Sequence, residues 1–174
     1  MRVLALFAFF FVQAVCAPAL RAQCVALDDL LAIGAEPTAL IAPKVVTDHL
    51  TEWAYVAPSA TAKEAAWVFP AALGEQKPTA RLQVRAQRPG QDVVLKTSQA
   101  NCVRDLRSEL KSRKLTAQPV TCPNCEAVRY QGPNYEATIY SQMKGEFPFV
   151  VVVHQVPPGM PPAASNGTGT AKMP

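Results

Sequence analysis

The chain is poor in the residues that do chemistry. It has two histidines, His49 and His154, and only 17% of its residues are charged. G-x-S-x-G, H-E-x-x-H and any paired-carboxylate motif are missing, so the common hydrolytic sites lack their nucleophile, metal ligands and acid–base pair. G-x-G-x-x-G and the P-loop are missing too, which removes the glycine cradle that nucleotide phosphates need. Excess charge is also lacking. The net charge is +4, and from Gln23 onward 15 basic residues face 13 acidic ones. No basic stripe is present to follow a phosphate backbone, so nucleic acid is not an expected partner.

Long apolar runs are confined to the N-terminus. Val3 to Val15 makes a helix of about 20 Å, short of the roughly 30 Å hydrocarbon core, so a stable membrane anchor is not expected. With Arg2 ahead of it and Ala17-Pro18-Ala19 behind it, the run has the parts of a signal peptide. The leader is residues 1–22, cut after Ala19 or Ala22, and the expected location is periplasmic or extracellular. Of five cysteines, Cys16 leaves with this leader. Cys24, Cys102, Cys122 and Cys125 remain, an even number in an oxidising compartment, with three possible connectivities. Cys122-Pro123-Asn124-Cys125 suits a type I turn narrow enough for a disulfide to bridge, which favours Cys122–Cys125 with Cys24–Cys102.

What is present is periodicity. Cys24 to Ala35 reads as a short helix on Leu27, Leu30 and Leu31, stopped at Gly34. Val45 to Tyr55 fits a strand pair, or one helical turn followed by a strand, with extended chain favoured from Glu52 to Val56. Ser59 to Leu73 fits a helix capped by Ser59 or Thr61, or a strand over Ala65–Phe69. Leu82–Ala86 and Asp92–Thr97 alternate about Arg88-Pro89-Gly90, a hairpin pattern. Gln99 to Leu115 is a helix with Ser98 as N-cap and an apolar stripe of Val103, Leu106 and Leu110. It carries a Glu109–Arg113 pair and a basic flank of Arg104, Arg107, Lys111 and Lys114, read as a solvated face. Val128 to Met143 is a second hairpin about Gly132-Pro133-Asn134. Phe147 to Val153 is an apolar β-branched run suited to a central strand, with Pro148 at its start.

These elements predict an α+β fold: a mainly antiparallel sheet of about five to seven strands with one or two helices packed on one face. Residues 23–156 form a single exported domain, with a weak echo between halves 23–80 and 81–156. That echo sets Cys24-Val25 against Cys102-Val103, and Trp53–Pro58 against Val128–Pro133. Residues 157–174 form a Pro/Gly-rich tail expected to be disordered; Asn166-Gly167-Thr168 within it fits a glycosylation sequon.

Three chemistries can be drawn from the residues. Cys122 and Cys125 could act as the nucleophile and resolving thiol of a thiol–disulfide oxidoreductase, but such a site places a helix after its first cysteine. The residues after Cys125 read as strands. Cys102, Cys122, Cys125 and His154 could hold zinc, but a second ligand pair at knuckle spacing is missing and export favours disulfides. His49 lies among Asp48 and Glu52 and reads as surface. No catalytic residue, metal or cofactor is therefore expected. The reading is an exported, non-enzymatic, disulfide-stabilised binding or interaction module for a protein or small ligand, with oxidoreductase chemistry at Cys122–Cys125 as the alternative. Trp53, Tyr130 and Tyr135 are candidate interface anchors.

Overall fold

The structure, a computed structural model, describes residues 24–50, 52–58, 64–70, 77–87 and 90–155. The expected leader, the tail, and the Ser59 or Thr61 cap lie outside the described residues. Strands β1 (Ala54–Val56), β2 (Glu64–Phe69), β3 (Ala80–Ala86), β4 (Gln91–Thr97), β5 (Thr116–Val120), β6 (Glu126–Gln131), β7 (Tyr135–Ser141) and β8 (Phe149–Gln155) form one antiparallel sheet. Their spatial order is β1-β2-β3-β4-β8-β7-β6-β5. The two expected hairpins are β3–β4 and β6–β7, and the valine-rich β8 is central, between β4 and β7. The sheet has eight described strands rather than five to seven. The strand that local pattern did not reveal is β5, which is mostly exposed and carries Pro119. At a sheet edge a missing N–H costs no ladder bond, so proline is tolerated there. Ala65–Phe69 resolves to strand, because Trp67 and its neighbours pair on both sides, with β1 and with β3.

Helices α1 (Leu27–Ala35), α2 (Pro43–Thr47) and α3 (Ala100–Ser112) all contribute to one apolar core against one sheet face. Strand periodicity dictates which strand residues join them: Trp67, Leu82, Val84, Val93, Leu95, Ala137, Ile139, Val151 and Val153 point to the helices, and their neighbours point away. The chain thus runs through two helices and a four-stranded meander, then through α3 and a second meander, β5–β8. The changeover falls at Ser98–Gln99, and the two meanders join along β4–β8. The residues of the sequence echo do not occupy matching places: Trp53 precedes β1, whereas Val128 lies in β6.

Helix α3 holds α1 by three ties. Cys102 is disulfide-bonded to Cys24, Glu109 accepts a 2.9 Å hydrogen bond from the backbone N–H of Leu27, and Arg113 pairs with Asp28. Glu109 and Arg113 therefore reach across to α1 rather than forming the expected pair with each other. The carboxylate satisfies an N–H that the first turn of any helix leaves open. The N-cap of α3 is Gln99, without a side-chain cap bond, and the Ser98 hydroxyl instead donates to the carbonyl of Thr79 at 3.2 Å.

The other end of α1 rests on two glutamines that face each other across β4 and β8. Gln91 Nε2 donates to the carbonyls of Gly34 and Glu36, each at 2.8 Å, and Gln155 Nε2 donates to that of Leu31 at 2.9 Å. Only glycine allows this approach at position 34, since a Cβ there would lie 2.6 Å from Gln155 Cγ. Gly34→Ala is expected to lose about 1 kcal/mol, because overpacking outweighs the gain in helix propensity. In a Gln155→Ala background the same change should become stabilising, as urea denaturation of the four proteins will show. A cost that persists without Gln155 would refute the steric explanation.

Candidate functional site

With all described helices on one side, no described helix covers the opposite sheet face, where the Cys122–Cys125 turn and Met143 pack against the strand side chains. The strand register arranges them in three rows across the sheet. The first row runs Glu64, Arg85, Asp92, His154, Glu136 and Gln131. The second runs Ala66, Gln83, Val94, Val152, Thr138 and Arg129, and the third Val68, Arg81, Lys96, Val150, Tyr140, Ala127 and Val120.

The first row alternates in charge from strand to strand, and its members bond to one another. Arg85 Nε lies 2.9 Å from Glu64 Oε2, while Gln83 Nε2 donates to Glu64 Oε1 at 2.7 Å and Gln83 Oε1 accepts from Arg85 at 3.0 Å. His154 Nδ1 is 2.7 Å from Asp92 Oδ1. Arg129 reaches diagonally from the second row to Glu136, at 3.0 Å. Opposite charges facing across strands each contribute about 0.2–1 kcal/mol, so the row stiffens one margin of the face, beside the apolar cluster of Val94, Ala127, Tyr140 and Val150.

His154 sits at the polar end of its strand, as its sequence position suggests. The hydrogen bond to Asp92 raises its pKa above the ordinary histidine value, burial opposes the shift, and the charges of Asp92 and Glu136 add to it. A histidine whose folded pKa lies above its unfolded value of about 6.5 stabilises the fold fully below that value, and the contribution is lost as pH rises through the folded pKa. Stability should therefore fall as pH is raised from 6 into the range above the histidine value, and Asp92→Asn should remove most of that fall. Urea midpoints across this range test it, and a wild-type midpoint that does not fall would contradict it.

The third row is different. Arg81 and Lys96 face each other directly across β3 and β4, and beyond them the row is apolar. Lys96, Val150, Met143, Lys144, Glu146 and Phe147 line a depression of about 230 Å³. Burial lowers the pKa of Lys96, and repulsion from Arg85 and Arg81 lowers it further. Burial likewise pushes the Tyr140 hydroxyl up.

Cys122 and Cys125 close the β5–β6 turn with a disulfide, Cα atoms 5.2 Å apart, and pack beside Tyr140, Met143 and Val150 on this same face. Strand β6 follows Cys125 at once, so the turn does not head a helix. The proposed zinc ligands are not brought together as a set: Cys102 is tied to Cys24 under the helices, in the other disulfide. His49 lies half-exposed, 4.0 Å from Asp29. Trp53, Tyr130 and Tyr135 are all at most 6% exposed, within the helix-side core. They pack rather than present a surface: strand parity turns Tyr130 and Tyr135 inward, and Trp53, just before β1, packs against Phe69. Of the basic flank, Arg107 bonds the Ser141 hydroxyl at 2.6 Å, and Arg104 pairs with Asp105.

The rows themselves went unseen in the sequence. Part of the signal was there, since a hairpin closing on Ala86 and Gln91 sets Arg81 against Lys96. The partners across β4–β8 and β7–β8 are not encoded locally. Compared with family models, with curated proteins and with solved structures, the chain matches none.

Proposed function

We propose that the chain is an exported, non-enzymatic binding module that meets a protein partner through the helix-free face of its sheet. One observation carries this reading: on that face the charges are held in ordered cross-strand rows beside a depression lined by both charged and apolar side chains, and no described helix covers them. Rigid, patterned polar groups around an apolar centre give specificity to a protein contact. The two disulfides suit an oxidising compartment. Thiol–disulfide exchange at Cys122 has weaker support, since a thiolate there would gain nothing from a helix N-terminus.

Photo-crosslinking in the exporting cell tests the face. Benzoylphenylalanine at Gln118 or Gln131, exposed at the β5 side of the helix-free face, should give discrete adducts, and at Ser112 on α3 it should give none. Adducts from Ser112 with clean Gln118 and Gln131 would overturn the reading. An insulin-reduction assay addresses the alternative. No turnover is expected, and turnover abolished by Cys122→Ser would establish the oxidoreductase instead.

A further inference from the structure

We infer that the depression beside Lys96 is the specificity pocket of this face, and that it receives an acidic side chain with an adjoining apolar one from a protein partner. The inference rests on the proposed use of the helix-free face and adds the chemistry of what that face meets.

Like charges directly opposite on adjacent strands are unfavourable, yet Arg81 and Lys96 are placed so in the register. The nearby carboxylates do little to relieve them. Glu64 is engaged by Arg85 and Gln83, with Arg81 at a looser 3.8 Å. Asp92 is held by His154, and Lys96 takes part in none of the described ion pairs. The pocket wall adds Lys144 and a single carboxylate, Glu146, so the cations outnumber the anions. Two lysines with an arginine behind them provide a seat for a carboxylate. Met143, Phe147 and Val150 complete the wall, and they suit an aromatic or aliphatic group next to it. Size favours a side chain as the source: about 230 Å³ falls below the roughly 300–1,000 Å³ of pockets that enclose drug-sized ligands. A side chain fits that volume, with the rest of the partner lying along the rows.

Phenylacetate joins a carboxylate to an aromatic ring and is the probe. Titrated into the isotopically labelled full chain, it should shift the amides of Lys96, Lys144 and Val150 saturably, and less so as salt is raised. Phenylacetamide, which lacks the charge, should bind at least about tenfold more weakly. Lys96→Met should abolish the shifts without lowering the melting temperature, because it removes one of two repelling charges. Lys96→Arg should keep them. Lys144→Gln should weaken binding if Lys96→Met proves hard to fold. Phenylacetate should also suppress the crosslinks from Gln118 and Gln131.

Equal binding of acid and amide, shifts elsewhere on the surface, or affinity unchanged by Lys96→Met would each overturn the pocket while leaving those crosslinks standing. Binding without any suppression of the crosslinks would mark a small-acid site and overturn the protein assignment. If the crosslinks themselves never form, the face fails as a partner surface, even where phenylacetate binds.

Discussion

Trp67→Ala is expected to destabilise the protein by about 3 to 5 kcal/mol, the range for emptying an aromatic site in a packed core. Trp67 is fully buried at the centre of β2, between Tyr55 on β1 and Leu82 on β3. Its ring lies 5.5 Å from that of Tyr55. Its Nε1–H donates to the Thr47 hydroxyl of α2 at 3.0 Å, and that hydroxyl donates in turn to the carbonyl of Pro43. One side chain therefore fixes the edge strand and the short helix above it. Since whole domains are stable by only about 5–15 kcal/mol, its loss should move the urea midpoint far to the left or leave the chain unfolded. Trp67→Phe separates packing from hydrogen bonding: it keeps most of the apolar contact and removes only the bond that the Thr47 hydroxyl accepts, at about 0.5–1.5 kcal/mol. A Phe variant as unstable as the Ala variant would show that the indole N–H, and not the ring, is what matters.

Removing the Cys24–Cys102 bond should cost nearly as much. The bond spans 78 residues, and the loop-closure entropy returned to the unfolded chain corresponds to about 4 to 5 kcal/mol. The Cys122–Cys125 bond spans 3 residues and is worth only about 1.5 kcal/mol on the same scale. The paired substitutions Cys24→Ser with Cys102→Ser, and Cys122→Ser with Cys125→Ser, should thus differ severalfold in their effect on urea midpoints. Reductant should add little to the first pair's loss. The first pair also frees the N-terminus of α1, where the Glu109 carboxylate holds Leu27. Equal effects from the two pairs would show that native contacts outweigh chain entropy.

Local pattern in the sequence sufficed for α3, for both hairpins, for the central place of β8 and for the fold class. It failed where a residue's role is set by a distant partner. Glu109 and Arg113 have ideal spacing for each other, yet both serve α1, because a buried helix end needs a carboxylate more than an exposed pair does. Tyr130 and Tyr135 look like surface anchors only until strand parity is known, and Trp53 only until its packing on Phe69 is. His154 reads correctly as a strand end, but its bond to Asp92 crosses 62 residues. Nothing local announces it. Strand β5 is not legible in the sequence, because polar residues and a proline at a sheet edge look like loop.

The junction of β4 with β8 has a consequence for how the chain assembles. Strands β1–β4 can pair as soon as they are made, and so can β5–β7, but each meander then ends in a bare edge. On the first, the unpaired N–H and C=O groups run along Val93-Val94-Leu95, an apolar edge of the kind that recruits another chain. The outer edges of the finished sheet are guarded by the shortness of β1 and by Pro119; this inner edge has no such guard. It is closed only when β8, the last of the described strands, slots between the two meanders. Folding is thus a race between the final strand and self-association, and chains cut short before Phe149 should be the ones that aggregate.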